Sequence, residues 1–134
     1  YTSGTAKHSQ FPDTDFFLMR AAEAWLTYAE AETRMGNADK AKTAIDAIRT
    51  RANASLQPSY SLEFILDEWS REFYFEGRRR IDLIRHGKFS GNSYVWQWKG
   101  GAYSGTTFSS NLNIFAIPDT DLNANPNLVQ NPGY

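Results

Sequence analysis

"TDFFLMRAAEAWLTYAEAETRMGNADKAKTAIDAIRTRAN", residues 14–53, decides the fold. Phe17, Leu18, Ala21, Trp25, Tyr28, Ala29 and Glu32 recur at spacings of three and four, the period of a helix with one apolar face. Thr14 or Asp15 suits the N-cap, and Gly36 suits the position just past the last turn. A second helical run begins almost at once. Its Ala38, Ala41, Ile45 and Ile48 mark one face, and its basic residues gather toward the end where they suit the helix dipole. The link "GN" is too short for anything but a return of the second helix along the first.

Trp25, Tyr28, Ala29, Gly36, Ala41, Ile45 and Ile48 also match the offsets of a tetratricopeptide helix pair. Ala29 and Ala41 are small enough to let such helices cross closely. Any alanine-rich hairpin with an ordinary core has the same local structure, and no second matching repeat follows. "SLEFILDEWSREFYFEGRRRIDLIRHG" reads as a third helix, from about Ser61 to His86. Leu62, Ile65, Leu66, Trp69, Phe73, Ile81 and Ile84 form its stripe, and Glu63 suits its first turn. Gly77 inside that pattern costs about 1 kcal/mol against alanine, which points to a close backbone contact.

After Lys88, turn residues surround short alternating runs such as "SYVWQW" (93–98), which read as β-type. "AIPDTDLNANPNLVQNPGY" (116–134) reads as an ordered irregular tail, with Ile114, Phe115, Ile117, Leu122, Leu128 and Val129 as its apolar anchors. The expected class is mainly α: a tetratricopeptide-like hairpin plus a long third helix, then an irregular loop-rich C-terminal segment. Residues 1–13 are expected to form a flexible lead-in, 14–87 the helical part, and 88–134 the loops and ordered tail.

At 134 residues the chain is long enough for one core, and a 41% hydrophobic share makes it globular. A net charge of −1 supplies no general field toward nucleic acid or anionic lipid. Cysteine is absent, which excludes disulfides, thiol nucleophiles and thiolate metal sites. No run approaches the roughly 18 apolar residues of a membrane span. The N-terminus has no signal-peptide pattern and does not begin with methionine, as expected of a processed product or a piece of something longer.

"EFYFEGRRRIDLIRHGKF" (72–89) poses the functional question, because its arginines and aromatics are also what a polyanion site would offer. Helical offsets place Glu76 near Arg80, Glu72 or Glu76 near Arg79, and Arg78 near Asp82. Glu72, Glu76, Arg78, Arg79, Arg80 and Asp82 are therefore expected to form a structural ion-pair network, with no nucleic-acid partner. Arginines beside Glu72 and Glu76 would lower their pKa values, the wrong direction for a general acid. His8 and His86 have no metal-ligand companions, and "KGGAYSGTT" lacks the lysine of a phosphate loop. No catalytic, metal or cofactor constellation emerges, and the chain reads as a non-enzyme. Trp96, Trp98 and Tyr103 are the candidate ligand-binding residues, since aromatic faces beside amides suit sugar rings. The alternative is that these tryptophans cover the helices' apolar edge.

"RAAEAWLTYAEA" (20–31), "REFYFEGRRRIDLIRHGKF" (71–89) and "IPDTDLNANPNLVQNPGY" (117–134) resemble, in order, signature segments of the SusD/RagB family. The resemblance implies a mostly helical fold with tetratricopeptide-like pairs. It also implies the C-terminal part of a lipoprotein on the outer-membrane surface of Bacteroidetes, which binds a glycan or other oligomeric nutrient. Its implied partner is a TonB-dependent transporter of the SusC type, with membrane contact only through a lipid anchor in an N-terminal part that this chain lacks. Arg80 and His86 depart from the pattern, standing where the family usually has tryptophan. A general tetratricopeptide protein-interaction module is the other reading.

Overall fold

The computed structural model describes residues 17–134 and shows five α-helices among them. These are α1 (Ala21–Arg34), α2 (Ala38–Arg51), α3 (Leu62–Glu72), α4 (Arg79–Arg85) and α5 (Asp119–Ala124). The chain divides into two compact units whose boundary falls between Ile65 and Leu66, within α3.

In the first unit α1 and α2 pack on each other, burying Leu26 and Ala29 of α1 and Ala41, Ala44, Ile45 and Ile48 of α2. The turn between them is closed by two backbone bonds, Gly36 N–H to Thr33 O (3.1 Å) and Asn37 N–H to Glu32 O (2.8 Å). This is the Schellman ending that Gly36 announces. The Asn37 side chain also donates to Glu32 Oε2 at 2.6 Å. That bond, against the opposing effect of desolvation and with help from a Tyr28 bond and the charge of the nearby Lys40 ammonium, holds the Glu32 carboxyl below its ordinary pKa.

Two expectations for α1 change. Its first turn starts at Ala21 with no side-chain cap, while Thr14, Asp15, Phe16, His8 and the 1–13 lead-in lie outside the described residues. Phe17, Leu18 and Met19 precede the helix and are exposed, and Trp25 and Tyr28 are about half-exposed. The helix is apolar over more than one face. α2 covers the face of Ala22, Leu26 and Ala29, and the Trp25 and Tyr28 face stays outward.

The chain leaving α2 is tied back to it. Arg49 donates to Ser55 O through Nε and one Nη (2.8 and 2.6 Å), and the Tyr60 hydroxyl donates to Asp46 Oδ1 at 2.6 Å. α3 then begins with the Ser61 hydroxyl accepting from Phe64 N–H at 3.1 Å.

The expected helix from Ser61 to His86 is broken into two. α3 ends at Glu72 and α4 starts at Arg79, with Phe75 (φ 61°) and Gly77 (φ 75°) in the left-handed region between them. A Cβ at Gly77 would meet nothing within 4 Å, so this glycine supplies a backbone conformation rather than a close contact.

The expected β-type run at 93–98 forms no strand. Among the described residues the only sheet-like pairing is an isolated antiparallel bridge, Gly91 to Phe108. The tail is held by polar bonds more than by its apolar residues, since Phe115 and Val129 are exposed. The Gln130 amide bonds both the N–H and the C=O of Ile117 (2.9 Å each). The Asn131 amide donates to Phe115 O (2.7 Å), and the Tyr134 hydroxyl to Ile114 O (2.9 Å).

Candidate functional site

The break between α3 and α4 places Arg78, Arg79 and Arg80 on three different tasks. Arg78 lies with its guanidinium carbon 4.2 Å from the Trp69 ring centre and 5.0 Å from that of Phe73. Its Nε is 3.5 Å from Asp82, a buried carboxylate that Arg85 also reaches at 3.0 Å. Arg79 donates to Leu66 O (2.8 Å) and to the Tyr94 hydroxyl (3.0 Å), with Asp67 at 3.9 Å. Arg80 donates to Leu112 O (2.6 Å) and stacks over Phe115 and Phe89, with centroid distances of 4.0 and 5.0 Å.

Of the expected ion pairs, Arg78 with Asp82 is present. Arg79 and Arg80 do not pair with Glu72 or Glu76. The break removes the helical register that would bring them together. Carbonyls and ring faces take up these guanidiniums instead, which suits a planar, weakly hydrated cation.

A cavity of about 440 Å³ opens at this break, lined by Trp69, Phe73, Tyr74, Phe75 and the three successive arginines. Tyr74 and Phe75 stand edge-to-face at its rim, 4.5 Å apart, and Phe75 is 91% exposed.

The loop 94–108 holds the three nominated aromatics, and they do not act alike. Trp98 and Tyr103 are 64% and 66% exposed and meet edge-to-face at 5.7 Å. Trp98 has φ 67°, a conformation that costs a bulky residue about 1–3 kcal/mol. Bonds from Trp98 N–H to Tyr103 O (3.3 Å) and from Gly101 N–H to Trp98 O (3.0 Å) hold it there. Trp96 instead packs against Tyr94 at 5.7 Å and lies under the Lys99 ammonium at 4.6 Å, so the two tryptophans do not share a strand face.

Lys99 was not singled out by the sequence. It is 1% exposed, donates to Tyr94 O at 3.0 Å, and sits between the rings of Trp96 and Phe108. A lysine in a glycine-rich loop ordinarily reads as solvated, so only the tertiary fold reveals this role. Gly105 completes the loop, since a Cβ there would come within 2.3 Å of Trp96 O. Among the described residues no group of three or more His, Asp or Glu is placed to hold a metal ion. No described helix is long and apolar enough to cross a membrane.

The family model for SusD matches residues 1–134. This chain belongs to the SusD family. It is 48% identical over 128 residues to the starch-binding protein SusD of Bacteroides thetaiotaomicron, covering 95% of this chain and 23% of that protein. Its fold is similar to the surface glycan-binding protein A of Bacteroides uniformis (TM-score 0.70, 30% identity, 84% of this chain and 26% of that one). A SusD-like protein from Bacteroides fragilis gives a TM-score of 0.70 at 25% identity, over 87% of this chain and 25% of that one. The chain thus spans about a quarter of the length of these relatives. The helical hairpin and loop-rich second unit described above are SusD-family architecture.

Proposed function

We propose that this chain is part of a glycan-binding lipoprotein on the outer-membrane surface, which delivers its ligand to a TonB-dependent transporter. Membership of the SusD family and relatives named for starch and glycan binding support this reading. Within the chain, the observation that carries it is the exposed Trp98–Tyr103 pair, joined by a backbone bond of its own loop. A sugar ring presents an apolar C–H face and a hydroxylated rim. An exposed indole meets the first, and the neighbouring Gln97 side chain is open to the second. Trp98 and Tyr103 are proposed as direct contacts, and Trp96 as a support that keeps the loop in place.

Calorimetric titration of the full-length protein with starch-type and other oligosaccharides tests this. Trp98→Ala is expected to weaken binding about fivefold to tenfold, consistent with the loss of roughly 1–1.5 kcal/mol of ring stacking. Unchanged affinity in both Trp98→Ala and Tyr103→Ala removes these residues from the site.

A further inference from the structure

We infer that Lys99 is a positioning residue for the Trp98–Tyr103 pair: buried beside Trp98, it sets the direction in which that indole faces the ligand. This rests on the glycan-binding reading above and adds to it a residue that touches no sugar. Trp98 is 64% exposed and Lys99 only 1%, so two consecutive side chains leave the loop in opposite senses. Whatever fixes the second therefore aims the first.

Lys99 is fixed at its backbone and at its tip. Its N–H donates to Trp96 O (3.1 Å), and its carbonyl accepts from the Thr106 N–H and hydroxyl (3.0 and 3.3 Å). Its ammonium donates to Tyr94 O (3.0 Å) and lies 4.6 and 5.0 Å from the ring centres of Trp96 and Phe108. One residue thus ties positions 94, 96, 106 and 108 together. The chain on either side is confined as well. Trp98 and Gly100 are both at positive φ, and a Cβ at Gly100 would come within 2.3 Å of Thr106 Oγ1.

The chemistry of the ammonium argues against a merely space-filling role. Among the described residues no carboxylate is paired with it, and one carbonyl and two ring faces meet its charge. Burying a cation on these terms is costly, and an unbranched apolar side chain would fill the same space without that cost. What the cation adds is direction: a hydrogen bond and two cation–π contacts have preferred geometry, whereas apolar packing tolerates rearrangement. Trp98 needs such a constraint, because a bulky residue stays at a left-handed φ only where its surroundings over-determine it. Without the ammonium the loop relaxes in part, and apparent affinity falls in proportion to the fraction of molecules that still present the indole.

The test uses the full-length protein, titrated with maltoheptaose and other neutral oligosaccharides. Lys99→Met should weaken binding about threefold to tenfold, and should add nothing once Trp98 is already alanine. Amide hydrogen exchange supplies a readout that needs no ligand. In Lys99→Met the Trp98 and Thr106 amides should exchange faster, while Ile45 and Ile48 keep their wild-type protection. If Lys99→Met is too unstable to measure, exchange in the wild type decides: Trp98, Lys99 and Thr106 should open together as one unit, and independent opening overturns the inference. Unchanged exchange at Trp98 in the variant also overturns it, as does a loss of affinity that adds in full to that of Trp98→Ala. Unchanged affinity in Lys99→Met, where Trp98→Ala does weaken binding, overturns the positioning role alone. Absence of binding to any glycan, or unchanged affinity in Trp98→Ala, overturns the reading on which the inference rests and the inference with it.

Discussion

Asp46 ties two side chains of the first unit together, Lys42 and Tyr60. Its desolvation alone would raise the carboxyl pKa, but bonds from Lys42 and the Tyr60 hydroxyl outweigh that and hold it below the ordinary carboxylate range. A group whose folded pKa is depressed stabilises the fold above its unfolded value, near 3.9, and loses that contribution as pH falls through the folded value. Asp46→Asn should therefore be less stable than wild type at neutral pH, with the gap narrowing in acid. Thermal midpoints measured from pH 7 downward check this; a constant gap would mean that the charge on Asp46 is not what stabilises. Nothing in the spacing of residues 37–60 announces the Tyr60 bond, because a partner 14 positions away is set by how the 52–61 segment folds back. The Arg78–Asp82 pair was legible, since an i to i+4 pair is local. The ring faces under Arg78 and Arg80 were not, because stacking partners have no fixed sequence offset.

The α1–α2 hairpin is the element whose sequence was clearest, for a physical reason. Its turn chemistry, small crossing residues and apolar period all favour one local answer. Ala29 and Ala41 are both fully buried, so Ala29→Leu should overpack the crossing and cost about 1–3 kcal/mol. A denaturation midpoint unmoved by that substitution would place the crossing elsewhere. The third helix was harder to read because Trp69 and Phe73 before the break and Leu83 after it are all buried at helical-type spacings. Only Phe75 and Gly77, both at positive φ, distinguish two short helices from one long one. The alternating aromatics Tyr94, Trp96 and Trp98 imitate a strand. A strand needs a ladder, though, and the loop satisfies its backbone through turns such as Lys99 N–H to Trp96 O and Thr106 N–H to Lys99 O.

At the scale of the whole chain, three separated motifs in the right order made the family legible, where the hairpin alone did not distinguish it from other helix pairs. The outward side chains of the first unit, Phe17, Leu18, Met19, Trp25 and Tyr28, are what one pair of a stacked helical array presents to its neighbour. The last twenty residues follow a different physics. Gln130, Asn131 and Tyr134 clasp the backbone at 114–117 by hydrogen bonds, while Phe115 and Val129 stay in water. Order secured this way owes little to the exclusion of water, so it should respond to a cosolvent that competes for amides before it responds to salts that strengthen burial. In moderate urea, amide hydrogen exchange at Ile117 and Asn131 should accelerate while Ile45 and Ile48 keep their protection. Coincident loss of protection at all four would mean that the tail and the hairpin open as one cooperative body.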